Sequence, residues 1–161
     1  MKAKIILFLI ISLYFLGCAT APPLRQIQNS WQIDQPFDTV WQAAIEVLPE
    51  MQLTIAQTEK ESGLITTNPI DLPTGDRAYC DWGKLSWTQS QKGLRGKYTI
   101  YVKKIGDAQT ELKMVSVYEI LFDDSMDRAA DRTDRTIYKR ACVSTGKMEA
   151  DFYSKIQARF K

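Results

Sequence analysis

The chain has 161 residues, of which 45% are hydrophobic and 25% charged, enough to bury the core of one ordinary domain. Its 21 basic and 19 acidic residues nearly balance, which excludes the strong positive field that nucleic-acid binding requires. The sequence has no histidine, so it lacks the commonest general base and the usual zinc ligand.

The N-terminal segment has the pattern of a secretory signal. Lys2 and Lys4 precede a predominantly apolar run from Ile5 to Leu16. About a dozen apolar residues suit the hydrophobic region of a signal peptide, but roughly 20 are needed to span a bilayer. The pattern therefore predicts export and not a membrane-spanning helix.

The end of this run resembles the lipobox of bacterial lipoproteins, because the small residue Gly17 directly precedes Cys18. The resemblance implies that residues 1–17 are a signal peptide removed by cleavage and that an acyl lipid such as palmitate is attached to Cys18. Ala19 is similar to sorting signals for the outer membrane in Gram-negative bacteria. The predicted location is therefore the cell envelope, with the lipid in the outer membrane and the domain facing the periplasm.

Residues 18–29 predict a short lipidated tether, because Pro22-Pro23 favours extended chain and no periodic pattern appears. Residues 30–161 are predicted to form one domain. Within it, Cys80 and Cys142 remain as a pair in an oxidising compartment. We predict a disulfide that closes a loop of about 60 residues and stabilises the fold by about 4 kcal/mol. The alternative is two buried thiols that never meet.

The first predicted elements are a strand at Ser30–Ile33 and a helix in which Pro36 occupies the first turn. The helix carries one apolar stripe with helical spacing, and Pro49 ends it. The stripe consists of Phe37, Val40, Trp41, Ala44, Ile45 and Leu48. It predicts a core-facing surface.

Two further strands are predicted around Leu53–Ile55 and at Leu64–Thr67, joined by the polar turn Glu59–Gly63. The long segment 68–96 contains many turn signals. Part of it, near Lys84–Thr88, is a candidate strand.

A hairpin with alternating apolar residues is predicted from Tyr98 to Ile120, with its turn at Gly106–Ala108. The charged segment Asp123–Arg140 is predicted to be a solvated loop or a short helix. A second amphipathic helix follows from about Thr145 to Phe160, with Ser144 or Thr145 as its N-cap.

These elements predict an α+β fold in which a single antiparallel sheet packs against two helices, in the order β-α-β-β-β-β-α. Three segments resemble the BamC (NlpB)-like family of outer-membrane lipoproteins. They are Pro36–Ala43, which matches the helix start (F/Y)-x-x-V-W-x-A, the strand-turn-strand Leu53–Thr67, and the hairpin Tyr98–Val117. The resemblance implies a helix-grip domain and an envelope protein as partner.

Catalytic motifs are incomplete. Ser144 and Lys147 have the S-x-x-K spacing of penicillin-binding proteins, but the S-D-N and K-T-G elements of those enzymes do not occur in the sequence. The acidic residues after Asp123 lack the glycine and the glutamate of a calcium loop. We therefore expect no enzyme activity, no metal and no cofactor.

One aromatic cluster, Tyr79, Trp82 and Trp87, is a candidate binding site, because tryptophan offers a large contact area with little rotational freedom. The alternative is that these rings cover the sheet. The sequence thus predicts a non-enzymatic module, attached to the membrane through the lipid at Cys18, that binds an envelope protein or assists envelope assembly. The second hypothesis is a periplasmic lipoprotein that binds a ligand or glycan in an aromatic-lined groove between the sheet and the C-terminal helix.

Overall fold

The structure, a computed structural model, describes residues 25–75, 77–86, 88–124 and 137–161. The predicted signal peptide, Cys18 and Trp87 lie outside these residues. In chain order the described elements are β1 (Ser30–Ile33), α1 (Phe37–Glu50), β2 (Ile55–Glu59), β3 (Leu64–Thr67), β4 (Ile70–Leu72), β5 (Cys80–Asp81), β6 (Gln89–Gly106), β7 (Gln109–Asp124), β8 (Tyr138–Ser144) and α2 (Lys147–Ala158).

The predicted hairpin is the centre of the sheet. β6 and β7 pair along almost their whole length, and their side chains alternate between the two faces of the sheet. The inward-facing residues are buried and include Leu94, Tyr98, Ile100, Leu112, Met114 and Ile120. The alternation visible in the sequence therefore does define one core face.

Shorter strands extend the hairpin on both sides. The main path of the sheet is β2-β3-β6-β7-β8-β5, while β1 pairs with the beginning of β7 and β4 with β6. All of these pairings are antiparallel. The described residues thus confirm the predicted α+β fold with one antiparallel sheet and two helices, although the sheet has eight strands where the sequence predicted five.

The two helices cover the core face of the sheet. α1 buries Val40, Trp41, Ala44 and Leu48 from the predicted stripe, as well as Ala43 and Val47. α2 buries Met148, Phe152 and Ile156 on one side. Within the described ranges, neither helix is long and apolar enough to cross a membrane.

Three local predictions were wrong. Residues 138–140 lie in β8, where a loop or short helix was predicted, because Tyr138 and Arg140 pack on Phe122 while charged Lys139 faces outward. No strand forms at residues 84–86, and β6 begins at Gln89. The N-cap of α2 is Gly146 at φ 86°, a left-handed conformation that glycine adopts without a steric penalty, and not Ser144 or Thr145.

Candidate functional site

The first described residues of the tether lie against one end of the domain. We call this region the tether end and define it by Arg25–Asn29, Ala78–Gly83 and Ser144–Lys147. It joins the segment that follows Cys18 to the predicted disulfide and to the start of α2. The sequence predicted each part separately, but not that they meet.

Asp81 holds the tether by an ion pair. Its carboxylate lies 3.4 Å from the guanidinium of Arg25 and 4.0 Å from that of Arg77. The same carboxylate accepts a hydrogen bond of 2.9 Å from the backbone N–H of Gly83. Asp81 therefore fixes both the tether and the loop that follows β5.

Close packing continues along the tether. A Cβ atom on Gly146 would lie 3.3 Å from the side chain of Ile27, so a larger residue at the cap of α2 would crowd the tether. Two residues further on, the carbonyl oxygen of Asn29 accepts a hydrogen bond from the N–H of Met114. The tether thus enters β1 directly from its contact with α2.

The disulfide between Cys80 and Cys142 is present, and it ties β5 to β8 across a sequence separation of 62 residues. Cys80 is completely buried. Thr145 adds two bonds to the same loop, since its N–H donates to the carbonyl of Tyr79 and its hydroxyl to that of Ala78. This loop is therefore fixed at the tether end by covalent and hydrogen bonds.

The residues of the S-x-x-K spacing have other partners. The hydroxyl of Ser144 lies 2.9 and 3.1 Å from the two carboxylate oxygens of Glu149, which is fully buried. Lys147 forms an ion pair of 2.7 Å with Asp151. These contacts are typical of residues that start a helix.

The aromatic candidates occupy different environments. Trp82 is 4% exposed and belongs to the hydrophobic core, with the guanidinium of Arg77 4.7 Å from the centre of its ring. Tyr79 is partly buried, and the amine of Lys147 lies 5.8 Å from its ring centre. Trp87 lies outside the described residues, so the aromatic-lined groove stays a prediction.

A depression of about 430 Å³ lies between the tether and α2. Its wall includes Trp31 and Tyr153, whose rings stack with centres 4.6 Å apart. Sequence analysis missed Tyr153, because it does not belong to the four-residue repeat of apolar positions in α2. It also missed Arg25 and Asp81, which carry no pattern of their own.

Two buried tyrosines lie beneath the tether end. Tyr98 and Tyr118 meet edge to face, with ring centres 5.9 Å apart, and both hydroxyls are buried. Burial raises the pKa of Tyr98 to about 12, and burial also raises the pKa of Tyr118. Both rings therefore stay neutral at pH values where an exposed phenol ionises.

These tyrosines predict a loss of stability in alkali. Because Tyr98 ionises near pH 10 when unfolded and near 12 when folded, its contribution is complete below pH 10 and is lost as the pH rises through 12. The loss amounts to about 2–3 kcal/mol. We expect the Y98F/Y118F variant to lose less stability than the wild type between about pH 9 and 12 in urea titrations.

The control for this experiment is Tyr101→Phe, which removes a hydroxyl from a ring that is 44% exposed. It should retain the alkaline loss of the wild type. Near neutral pH the double variant should be about as stable as the wild type, because replacing both members of a buried polar pair by apolar rings of the same shape is nearly neutral. If the free energy of unfolding of the double variant fell as steeply with pH as that of the wild type, the alkaline loss would not come from Tyr98 and Tyr118.

The described residues contain no group of three or more histidine, cysteine, aspartate or glutamate side chains arranged to hold a metal ion. At the tether end, Ser144 is bonded to Glu149, Lys147 is paired with Asp151, and the loop at Cys80 is fixed by the disulfide.

A known protein family matches most of the chain. Residues 25–131, well over half of the chain, match the family model described as the outer membrane protein assembly factor BamC-like C-terminal domain. The chain belongs to this family. The match begins at Arg25 and covers the elements from β1 to β7, whereas β8 and α2 follow its last residue. No curated protein matches the chain.

Membership of the BamC-like family confirms the resemblance drawn from the sequence. It associates the chain with the outer membrane and the cell envelope, and it fits a non-enzymatic role with envelope proteins as partners. The helix-grip description stays a prediction, because the family match does not include α2.

Proposed function

We propose that this protein is a lipid-anchored, non-enzymatic component of outer-membrane protein assembly that acts by contact with envelope proteins. In this proposal residues 1–17 are the signal peptide, residues 18–29 the lipidated tether and residues 30–161 the domain. The acyl chain on Cys18 holds the domain at the periplasmic side of the outer membrane.

The family match carries the proposal. The matched segment begins at Arg25, seven residues after Cys18. Seven extended residues reach about 25 Å, so an anchor at Cys18 would keep the domain close to the bilayer. A domain confined to this distance can meet other proteins at the membrane without strong affinity, because confinement raises their effective concentration.

The contacts at the tether end support this role. Arg25 and Ile27 lie against Asp81 and Gly146, so the tether meets the body of the domain before it enters β1. Such a fixed exit would restrict how the domain can turn relative to the membrane. A restricted orientation favours a protein that presents one surface to its partners.

The anchor is tested by Cys18→Ala in the native host. We expect the wild type to take up labelled palmitate and to sediment with the outer membrane, and the variant to lose both properties while it is still exported. Thr20→Ala, a substitution in the same segment, is the matched control and should behave like the wild type. A variant that remains in the outer membrane would contradict the anchor.

The partner is tested with the same strains. After crosslinking in intact cells and purification, mass spectrometry should find envelope assembly proteins bound to the wild type, and fewer bound to Cys18→Ala. Recovery of the wild type without any envelope protein would contradict the proposed contact function. Such a result would leave the anchor experiment unaffected.

A further inference from the structure

The sheet face opposite the helices is uncovered in the described part of the chain. We call it the open face and define it by the outward-facing residues of the three strands at its centre. They include Arg95, Lys97, Thr99, Tyr101 and Lys103 of β6, Glu111, Lys113, Val115, Val117 and Glu119 of β7, and Lys139 of β8. The open face combines exposed apolar side chains with basic ones.

The lysines of the open face are exposed and unpaired. Lys97, Lys103, Lys113 and Lys139 form no ion pair with any described residue. By contrast, several cations on or beside the helices are compensated, as in Lys60–Asp38 and Arg159–Glu46. The carboxylates on this face that form no ion pair with a described residue, Glu59 of β2 with Glu111 and Glu119 of β7, are three against the four unpaired lysines. The open face therefore carries a net positive charge.

Apolar side chains lie between these lysines. Val117 is 58% exposed and Tyr101 is 44% exposed. Beside Tyr101 is a depression of about 260 Å³ that is also lined by Lys103, Glu111 and Lys113. The two amines outnumber the one carboxylate of Glu111 around this depression, which suits a phosphate group, since lysine binds phosphate as a point charge.

We propose that the open face rests on the anionic surface of the bilayer, with lipid phosphates near Lys103 and Lys113 and with Tyr101 and Val117 at headgroup level. Tyrosine and lysine are the side chains that favour this interface. Each lysine near an anionic surface adds to the attraction between the domain and the lipid. A second copy is disfavoured as the occupant, because two such faces would bring like charges together.

This inference rests on the proposed anchor at Cys18, which would keep the domain within about 25 Å of the membrane. At this distance a weak electrostatic contact is sufficient to orient the domain. The open face would then lie toward the lipid, and both helices would face the periplasm and its proteins.

The test uses the full-length acylated protein in vesicles of neutral lipid or with about 30% phosphatidylglycerol. Flotation on neutral vesicles reports the anchor alone. Lysine acetylation, measured by mass spectrometry, reports the orientation. On anionic vesicles we expect acetylation of Lys97, Lys113 and Lys139 to slow at least fivefold, and that of Lys155 on α2 to stay unchanged.

Two further conditions sharpen the result. About 0.5 M salt should remove the protection, because it screens charges beyond a few ångströms. The K97E/K113E variant should still float but lose protection at Lys139, whereas the control Lys155→Glu should keep it. Equal acetylation on both kinds of vesicle, or protection that requires added envelope protein, would overturn the proposal.

Discussion

Replacing Cys80 and Cys142 together by alanine is expected to lower the free energy of unfolding by about 4 kcal/mol. The disulfide closes a loop with a sequence separation of 62 residues, and its loss restores that conformational freedom to the unfolded chain. The backbone pairing of β5 would replace little of the stability that the disulfide supplies, because β5 has two residues and pairs with β8 at two positions. Urea unfolding followed by tryptophan fluorescence measures the loss.

The matched control is Cys18→Ala, which removes a cysteine from outside the domain and should leave the unfolding midpoint unchanged. Limited proteolysis provides a second measurement. In the double variant, cleavage should appear first between residues 73 and 88, because this loop would then be held only by non-covalent contacts, such as those of Thr145 and Asp81. An unchanged urea midpoint under oxidising conditions would contradict the structural role of the bridge.

The regular elements could be predicted because their apolar residues repeat with a clear period. The stripe of α1 and the alternation from Tyr98 to Ile120 each define one buried face, and both were found in the structure. Apart from Cys18, the sequence has two cysteines, and this even number led to the prediction that Cys80 pairs with Cys142. Such features depend on sequence spacing alone.

The missed elements depend on contacts between distant residues. β8 carries Lys139 and Arg140, and their charges conceal a strand that is held by the disulfide of Cys142 and by the packing of Arg140 on Phe122. β4 and β5 are too short for a periodic pattern. β4 pairs with β6 and β5 pairs with β8. Both partners are distant in the sequence, so a local pattern does not reveal these pairings.

The tether end shows the same limit. Arg25 and Asp81 are 56 positions apart, and nothing in their surroundings predicts that they pair. Trp82 was a candidate binding residue because it lies in a segment rich in turn signals, and the alternative was that its ring covers the sheet. The structure places it in the core beneath Arg77, two positions after the disulfide-bonded Cys80.

The substitution Gly63→Ala is expected to destabilise the protein by about 4 kcal/mol or more, a loss that places it among the most damaging single changes. Gly63 has φ +69°, where a side chain costs about 1–2 kcal/mol. In addition, a Cβ atom there would lie 1.9 Å from the carbonyl oxygen of Val102, which is far inside van der Waals contact. The backbone must therefore move, and it weakens the hydrogen bond of 2.8 Å from Val102 N–H to Gly63 O.

Gly75→Ala separates the two effects. Gly75 has φ +83°, but a Cβ atom there would meet no described atom within 4 Å, so this variant retains the conformational cost without the collision. We expect it to lose about 1 kcal/mol. If urea unfolding gave equal losses for both variants, the close approach of Gly63 to Val102 would not hold β3 against β6. A larger loss at Gly63 would show that this turn, which joins β2 to β3, requires glycine because of the neighbouring strand and not merely because of its own φ.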